Sequence, residues 1–161
     1  MTGAEPGPGA FDWRLVSFDA LTPRELRRIY ALRQAVFVVE QACAFLDADD
    51  RDEQALHLAA WQGGEPTPMA CARLLAPGVA AAEASIGRVV TAARARGTGL
   101  GRETMRRAIA AAEATWPNAG VHLSAQSRLE PFYESFGFVA SGPRYLEDGI
   151  DHTPMRRTPA G

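Results

Sequence analysis

The chain has no lysine; all 17 of its basic residues are arginines. A Walker-type phosphate loop, which requires Gly-Lys-Ser/Thr, is thereby excluded. Cysteine is almost as scarce, and the two present, Cys43 and Cys71, form neither a CxxC pair nor a zinc set. Both are expected as reduced thiols. No run approaches the ~20 apolar residues that span a bilayer. The opening segment, MTGAEPGPGA, carries Glu5 among glycines and prolines, where a secretory signal needs positive charge and an apolar stretch. The expectation is a cytoplasmic protein without membrane contact. Nor is there an excess of positive charge. A net charge of -2 argues against a nucleic-acid partner, because such proteins present broad basic surfaces.

What is present suits one globular core. With 161 residues, 47% hydrophobic and 22% charged, the chain has the usual size and composition of a single domain. Residues 1–10 read as a flexible tail, 11–157 as the domain and 158–161 as a second short tail. Trp13, Leu15 and Phe18 make a short, roughly alternating run, a first strand pattern. Thr22, Pro23 and Glu25 then spell a capping box with proline in the first helical turn, and Leu26, Ile29, Tyr30, Arg33 and Phe37 share one helix face. The acidic stretch Asp47–Glu53 reads as a loop, either plain solvated surface or a charge that draws in a cationic substrate. Gly63-Gly64-Glu65-Pro66 joins two strand patterns, 55–62 and 69–76, into a hairpin.

The second half alternates more regularly. SIGRVVT (85–91) is a strand pattern, and 100–116 is a helix with Met105, Ala108, Ile109, Ala112 and Trp116 as its apolar stripe. Val121–Gln126 is a further strand. Leu129, Phe132, Tyr133 and Phe136 mark a short helix, starting either from a Ser127/Glu130 capping box or at Pro131. A last pair of strands, 138–141 and 145–156, is punctuated by Asp148-Gly149. Hairpins mixed with crossover helices predict an α/β sheet that is partly antiparallel and partly parallel.

The segment VVTAARARGTGLGR, Val89–Arg102, carries the most chemistry. A strand ends, Gly97, Gly99 and Gly101 follow at alternate positions, and a helix begins. Glycines there let backbone amides crowd an anion, while the helix N-terminus adds roughly half a positive charge. Arg94, Arg96 and Arg102 supply guanidinium donors suited to phosphate oxygens. A purely structural tight turn is the competing reading. The dinucleotide fingerprint GxGxxG is not met.

These residues resemble the signature of the Gcn5-related N-acetyltransferases (GNAT), Gln/Arg-x-x-Gly-x-Gly/Ala between the fourth strand and the next helix. The register Arg96-Gly97-Thr98-Gly99-Leu100-Gly101 fits with an apolar residue between the last two glycines, and a register from Arg94 is the alternative. A second marker is Pro131-Phe132-Tyr133-Glu134-Ser135-Phe136-Gly137-Phe138. Leu32–Gln41, Ile86-Gly87-Arg88-Val89 and Tyr145–His152 are similar to the ElaA-like branch. The resemblance spans 11–157. It implies a twisted, partly parallel sheet of about six or seven strands with flanking helices, and acetyl-CoA as cosubstrate without a metal.

The resemblance also implies roles. Val89, Val90 and Thr91 hold the pantetheine arm through their backbone. Arg96, Gly97, Thr98, Gly99, Leu100, Gly101 and Arg102 receive the pyrophosphate, and Gln126 stands where relatives carry a CoA-contacting asparagine. Tyr133 donates a proton to the departing thiolate, its plain alternative being a core aromatic. The fifth strand, Val121-His122-Leu123-Ser124, lacks the glutamate relatives use as a base. Glu40 is the candidate in its place, with His57 or water as alternatives; the bland readings are a helix-end hydrogen-bond partner and a core histidine. Cys43 and Cys71 are not expected to be nucleophiles. The expected function is N-acetyl transfer to a small-molecule or peptide amine, with a homodimer as the expected assembly. A non-catalytic CoA-binding or protein-interaction module is the competing reading.

Overall fold

Thr22 and Glu25 make the reciprocal cap their spacing predicts. The Thr22 hydroxyl accepts from the Glu25 amide at 3.1 Å, and the Glu25 carboxylate accepts from the Thr22 amide at 3.0 Å. Behind them runs α1 (Pro23–Arg33), whose proline occupies the first turn, where no N–H is missed. The fold is that of a computed structural model describing residues 11–159; the expected tail at 1–10 and the last two residues lie outside the described residues.

Four strands, β1 (Asp12–Ser17), β2 (Leu56–Trp61), β3 (Ala70–Leu75) and β4 (Ala84–Thr91), pair antiparallel in chain order. The helix α2 (Leu100–Thr115) then crosses over, so β5 (Val121–Gln126) joins β4 in parallel, as a parallel pair requires. The antiparallel strand β8 (Ile150–Arg157) follows β5, and β6 (Val139–Ala140) and β7 (Tyr145–Glu147) share its other edge. The sheet is mixed and has eight strands. The expected last pair is thus three strands. Asp148 and Gly149 both take positive φ, 50° and 77°, the backbone of a two-residue hairpin turn, and they split the second strand into β7 and β8.

Helices cover both faces. Met105, Ala108, Ile109 and Ala112 of α2 pack on Leu74, Ile86, Leu123, Ala125 and Met155. On the other face Ile29, Leu32 and Val36 pack on Ala59, Cys71 and Val90. The short helix α3 (Glu130–Glu134) begins through a 3-10 turn, Ser127–Leu129, with Pro131 in its first turn. Ser127 makes no cap; its hydroxyl bonds Thr153 at 2.8 Å.

The acidic stretch departs from plain surface loop: Asp49, Asp50 and Glu53 are exposed, but Asp50–Gln54 forms a 3-10 turn and two of the acids turn inward. Asp47 and Asp52 are buried around Arg33, which is 1% exposed. Arg33 donates to Asp47 Oδ2 at 2.9 Å and to Asp52 Oδ1 at 2.8 Å. Arg73 reaches Asp49 at 2.6 Å and Asp52 at 3.1 Å, and Arg88 bonds the Asp47 carbonyl at 3.0 Å. Buried charges persist only when paired. These carboxylates therefore anchor the loop inside the protein, and Arg33 sits on the apolar face of α1 because its partners are buried with it.

Candidate functional site

The site is made where β4 and β5 part. Cys71 pairs with Val90 and Arg73 with Gly87, so Arg88 and Val89 face Ala72 alone. Arg88 takes φ 49°. This is a β-bulge, and a bulge bends its strand. On the other side of β4 only Ala84↔Val121 and Ser85↔His122 are paired, whereas β5 keeps its β8 partner as far as Gln126↔His152. Beyond Ser85 the two parallel strands splay. The backbone of Val89, Val90 and Thr91 lines one side of the resulting gap, with peptide groups that have no partner on β5.

At the mouth of the gap lies the glycine turn. Gly97 and Gly99 take φ of 76° and 87°, a region open to glycine and costly for bulky residues. Gly99 is the N-cap of α2 and brings no capping side chain. The first intrahelical bond closes from the Glu103 amide to the Gly99 carbonyl at 3.1 Å. The amides of Leu100, Gly101 and Arg102 therefore have no acceptor within the helix. Leu100 is fully buried and fixes the start of the helix in the core. Uncapped amides, aligned peptide dipoles and room for close approach together make an anion seat.

The arginines around this seat are already engaged. Arg94 pairs with Glu65. The Arg102 guanidinium donates to Ser135 Oγ at 3.2 Å and lies 4.7 Å from the Phe136 ring centre. Arg96 grips Glu40 with both terminal nitrogens, one contact at 2.9 Å. Thr98 turns its hydroxyl back to the Ala95 carbonyl at 2.6 Å.

Glu40 arrives through an unpredicted feature. After α1 the chain widens into a π-helical run, Gln34–Glu40, with bonds from Gln41 to Val36 and from Cys43 to Val38. The wider turn carries Glu40 to Arg96 and Gln41 to Gln126, whose amide donates at 3.2 Å. The hydrogen bond from Arg96 lowers the pKa of Glu40, which weakens it as a proton acceptor. Glu40→Gln should free Arg96 for an incoming phosphate. Coenzyme A affinity, measured by calorimetry, is expected to stay level or rise by about threefold, under 1 kcal/mol; a tenfold drop would show that Glu40 itself contacts the donor.

Tyr133 packs as a core aromatic, its plainer expected reading. It is 8% exposed and packs with Leu123, Ala125 and Phe138, edge-on to Phe132 with ring centres 5.1 Å apart. Burial pushes its pKa up to about 12, so the phenol keeps its proton at neutral pH. Its hydroxyl makes no hydrogen bond to another described residue. His57 lies two strands from the gap, buried against Phe18, with Nε2 2.8 Å from the Asp52 carbonyl. Burial lowers its pKa, and it serves the ionic cluster. Among the described residues no group of acids, histidines and cysteines is set to hold a metal.

The profile of the Acetyltransferase (GNAT) domain matches residues 33–159. Protein ElaA of Escherichia coli is 35% identical over 148 residues, 91% of this chain and 95% of ElaA. The crystal structure of an acyl-CoA N-acyltransferase from Pseudomonas aeruginosa superposes with a TM-score of 0.85 at 42% identity, covering 91% of this chain and 99% of that one. That of Escherichia coli ElaA gives 0.84 at 34% identity over the same shares. The chain belongs to the GNAT acetyltransferase family, and within it to the ElaA-like branch.

Proposed function

We propose that this protein transfers an acetyl group from acetyl-CoA to a primary amine by direct attack within a ternary complex. The observation that carries the reading is the uncapped N-terminus of α2 opening beside the splay of β4 and β5. The pyrophosphate takes the amides of Leu100, Gly101 and Arg102, with Arg96 exchanging Glu40 for phosphate oxygens. The pantetheine arm follows Val89–Thr91 through backbone hydrogen bonds, and the Gln126 amide lies across the gap.

The thioester then rests in the splay. A neutral amine attacks its carbonyl, a β4 backbone amide steadies the oxyanion, and the C–S bond breaks as the C–N bond forms. Tyr133 gives its proton to the thiolate. Burial keeps the phenol protonated, so it has a proton to give and does not act as a base. The name of the Pseudomonas aeruginosa structure, an acyl-CoA N-acyltransferase, supports the same reaction class.

The test is a panel of amines offered with acetyl-CoA, read as released thiol. Thiol release with at least one amine is expected; binding of coenzyme A without turnover across the panel would leave a binding module. Tyr133→Phe should lower kcat by about 100-fold, the ordinary size of an acid contribution, with coenzyme A affinity unchanged. Equal kcat would remove the phenol from the reaction.

A further inference from the structure

A polar patch lies beside the gap, on the sheet face opposite α2. Leu123 and Ala125 of β5 and Met155 of β8 pack against α2, so strand alternation turns Ser124, Gln126 and His152 to the opposite face. His152 opposes Gln126 across β5 and β8 and Tyr145 across β7 and β8. The Tyr145 ring stacks on the imidazole with centres 5.9 Å apart and planes at 26°, and its hydroxyl bonds Ser124. Gln41 closes on Gln126, and the Cys43 thiol donates to the Asp148 carbonyl at 3.2 Å. The segment after α1 thus borders the patch. Strand β8 neighbours β5, so His152 stands one strand beyond the gap.

His152 has the chemistry of a proton acceptor. Its Nδ1 lies 2.8 Å from the Ile150 carbonyl. A carbonyl oxygen only accepts, so Nδ1 carries the hydrogen, and in the neutral ring Nε2 is the acceptor. The Glu147 carboxylate, 3.8 Å from Nε2, stands ready to balance the charge an imidazolium would carry. The charged and titratable groups around the ring are Glu147 and Tyr145 on β7, Asp151 beside it on β8, and Arg128, which bonds Gln126 at 2.9 Å. Of the other candidates, Glu40 is held by Arg96 and His57 is enclosed by the ionic cluster.

Resting on the acetyl-transfer reading, we propose that His152 is the base that deprotonates the acceptor amine, which approaches over the patch formed by Ser124, Gln126 and Tyr145. Tyr133 belongs to the α2 face of the sheet and His152 to the other, so acid and base meet the thioester from opposite sides. The amine proton passes to Nε2 as C–N forms; the sulfur takes the phenolic proton as C–S breaks. Exchange with solvent returns both groups to their starting states.

The test uses the amine that releases most thiol in the panel. His152→Gln should lower kcat by about 100-fold while coenzyme A affinity stays within about twofold, under 0.5 kcal/mol. Added imidazole should restore part of the turnover of His152→Ala in proportion to its concentration. Undiminished kcat in His152→Gln overturns the assignment, and so does a His152→Ala variant whose turnover added imidazole leaves unchanged. Coenzyme A binding with no turnover of any amine by the wild type overturns the acetyl-transfer reading instead, and the role of His152 with it.

Discussion

Gly99→Val is expected to bind coenzyme A at least about 100-fold more weakly than the wild type, a loss of about 2.7 kcal/mol, while the sheet keeps its form. Two effects act together. Gly99 sits at φ 87° and ψ 1°, and a β-branched residue is an outlier in that region. The turn would have to move, and the three uncapped amides of α2 move with it. A branched side chain at the N-cap would also stand where a diphosphate must approach. The core is spared, because Leu100, Met105 and Ala108 make the packing contacts of α2. Calorimetric titration with coenzyme A reads the affinity and near-UV circular dichroism reads the fold. Unchanged affinity would place the pyrophosphate elsewhere and break the register built on Arg96.

Asp52→Ala is expected to cost about 3–5 kcal/mol of folding stability, because it strands buried guanidinium charge. Asp52 is 0% exposed and holds Arg33 and Arg73 while accepting the Asp49 amide at 3.0 Å. For a domain of this size the loss corresponds to a Tm drop of the order of 10 °C, and urea unfolding would measure it directly. The pH dependence has a definite sign. Burial pushes the Asp52 pKa up, but the hydrogen bond and charge of Arg33, the Asp49 amide and Arg73 outweigh it and bring it to about 2. A folded pKa below the unfolded one gives stability that is present above about pH 4 and is lost as pH falls towards 2. Asp52→Ala should lack that acid-side loss. A variant as stable as the wild type at pH 7 would show that the cluster does not anchor the loop.

Local signals in the sequence survive into the structure wherever the physics is local. The Thr22/Glu25 cap, the Gly63–Pro66 connection, the apolar stripe of α2 and the glycine turn each depend on residues a few positions apart. Asp148-Gly149 was legible as a turn, yet its effect on strand count depends on β8 finding β5. Features set by pairing across the sheet were not legible. The bulge at Arg88 and Val89 exists only in register with Ala72, and the splay exists only because β5 keeps β8 while leaving β4. The ionic cluster left one trace: Arg33 on an otherwise apolar helix face needs a buried partner, and the acidic stretch supplies two. Nothing local announces the π-helical run that brings Glu40 to Arg96. Nor does spacing place His152 beside Gln126, since that depends on the register of β8 against β5.

The central claim is that the uncapped start of α2 seats the diphosphate of coenzyme A and so aims its sulfur into the β4–β5 gap. Amide shifts in a titration with acetyl-CoA test it most directly. The largest changes should fall at Leu100, Gly101 and Arg102 and along Val89–Thr91, saturating at one equivalent. Saturable binding whose shifts cluster elsewhere, such as the cleft lined by Glu113, Trp116 and Arg157 at the far end of α2, or no shifts at all, would contradict it.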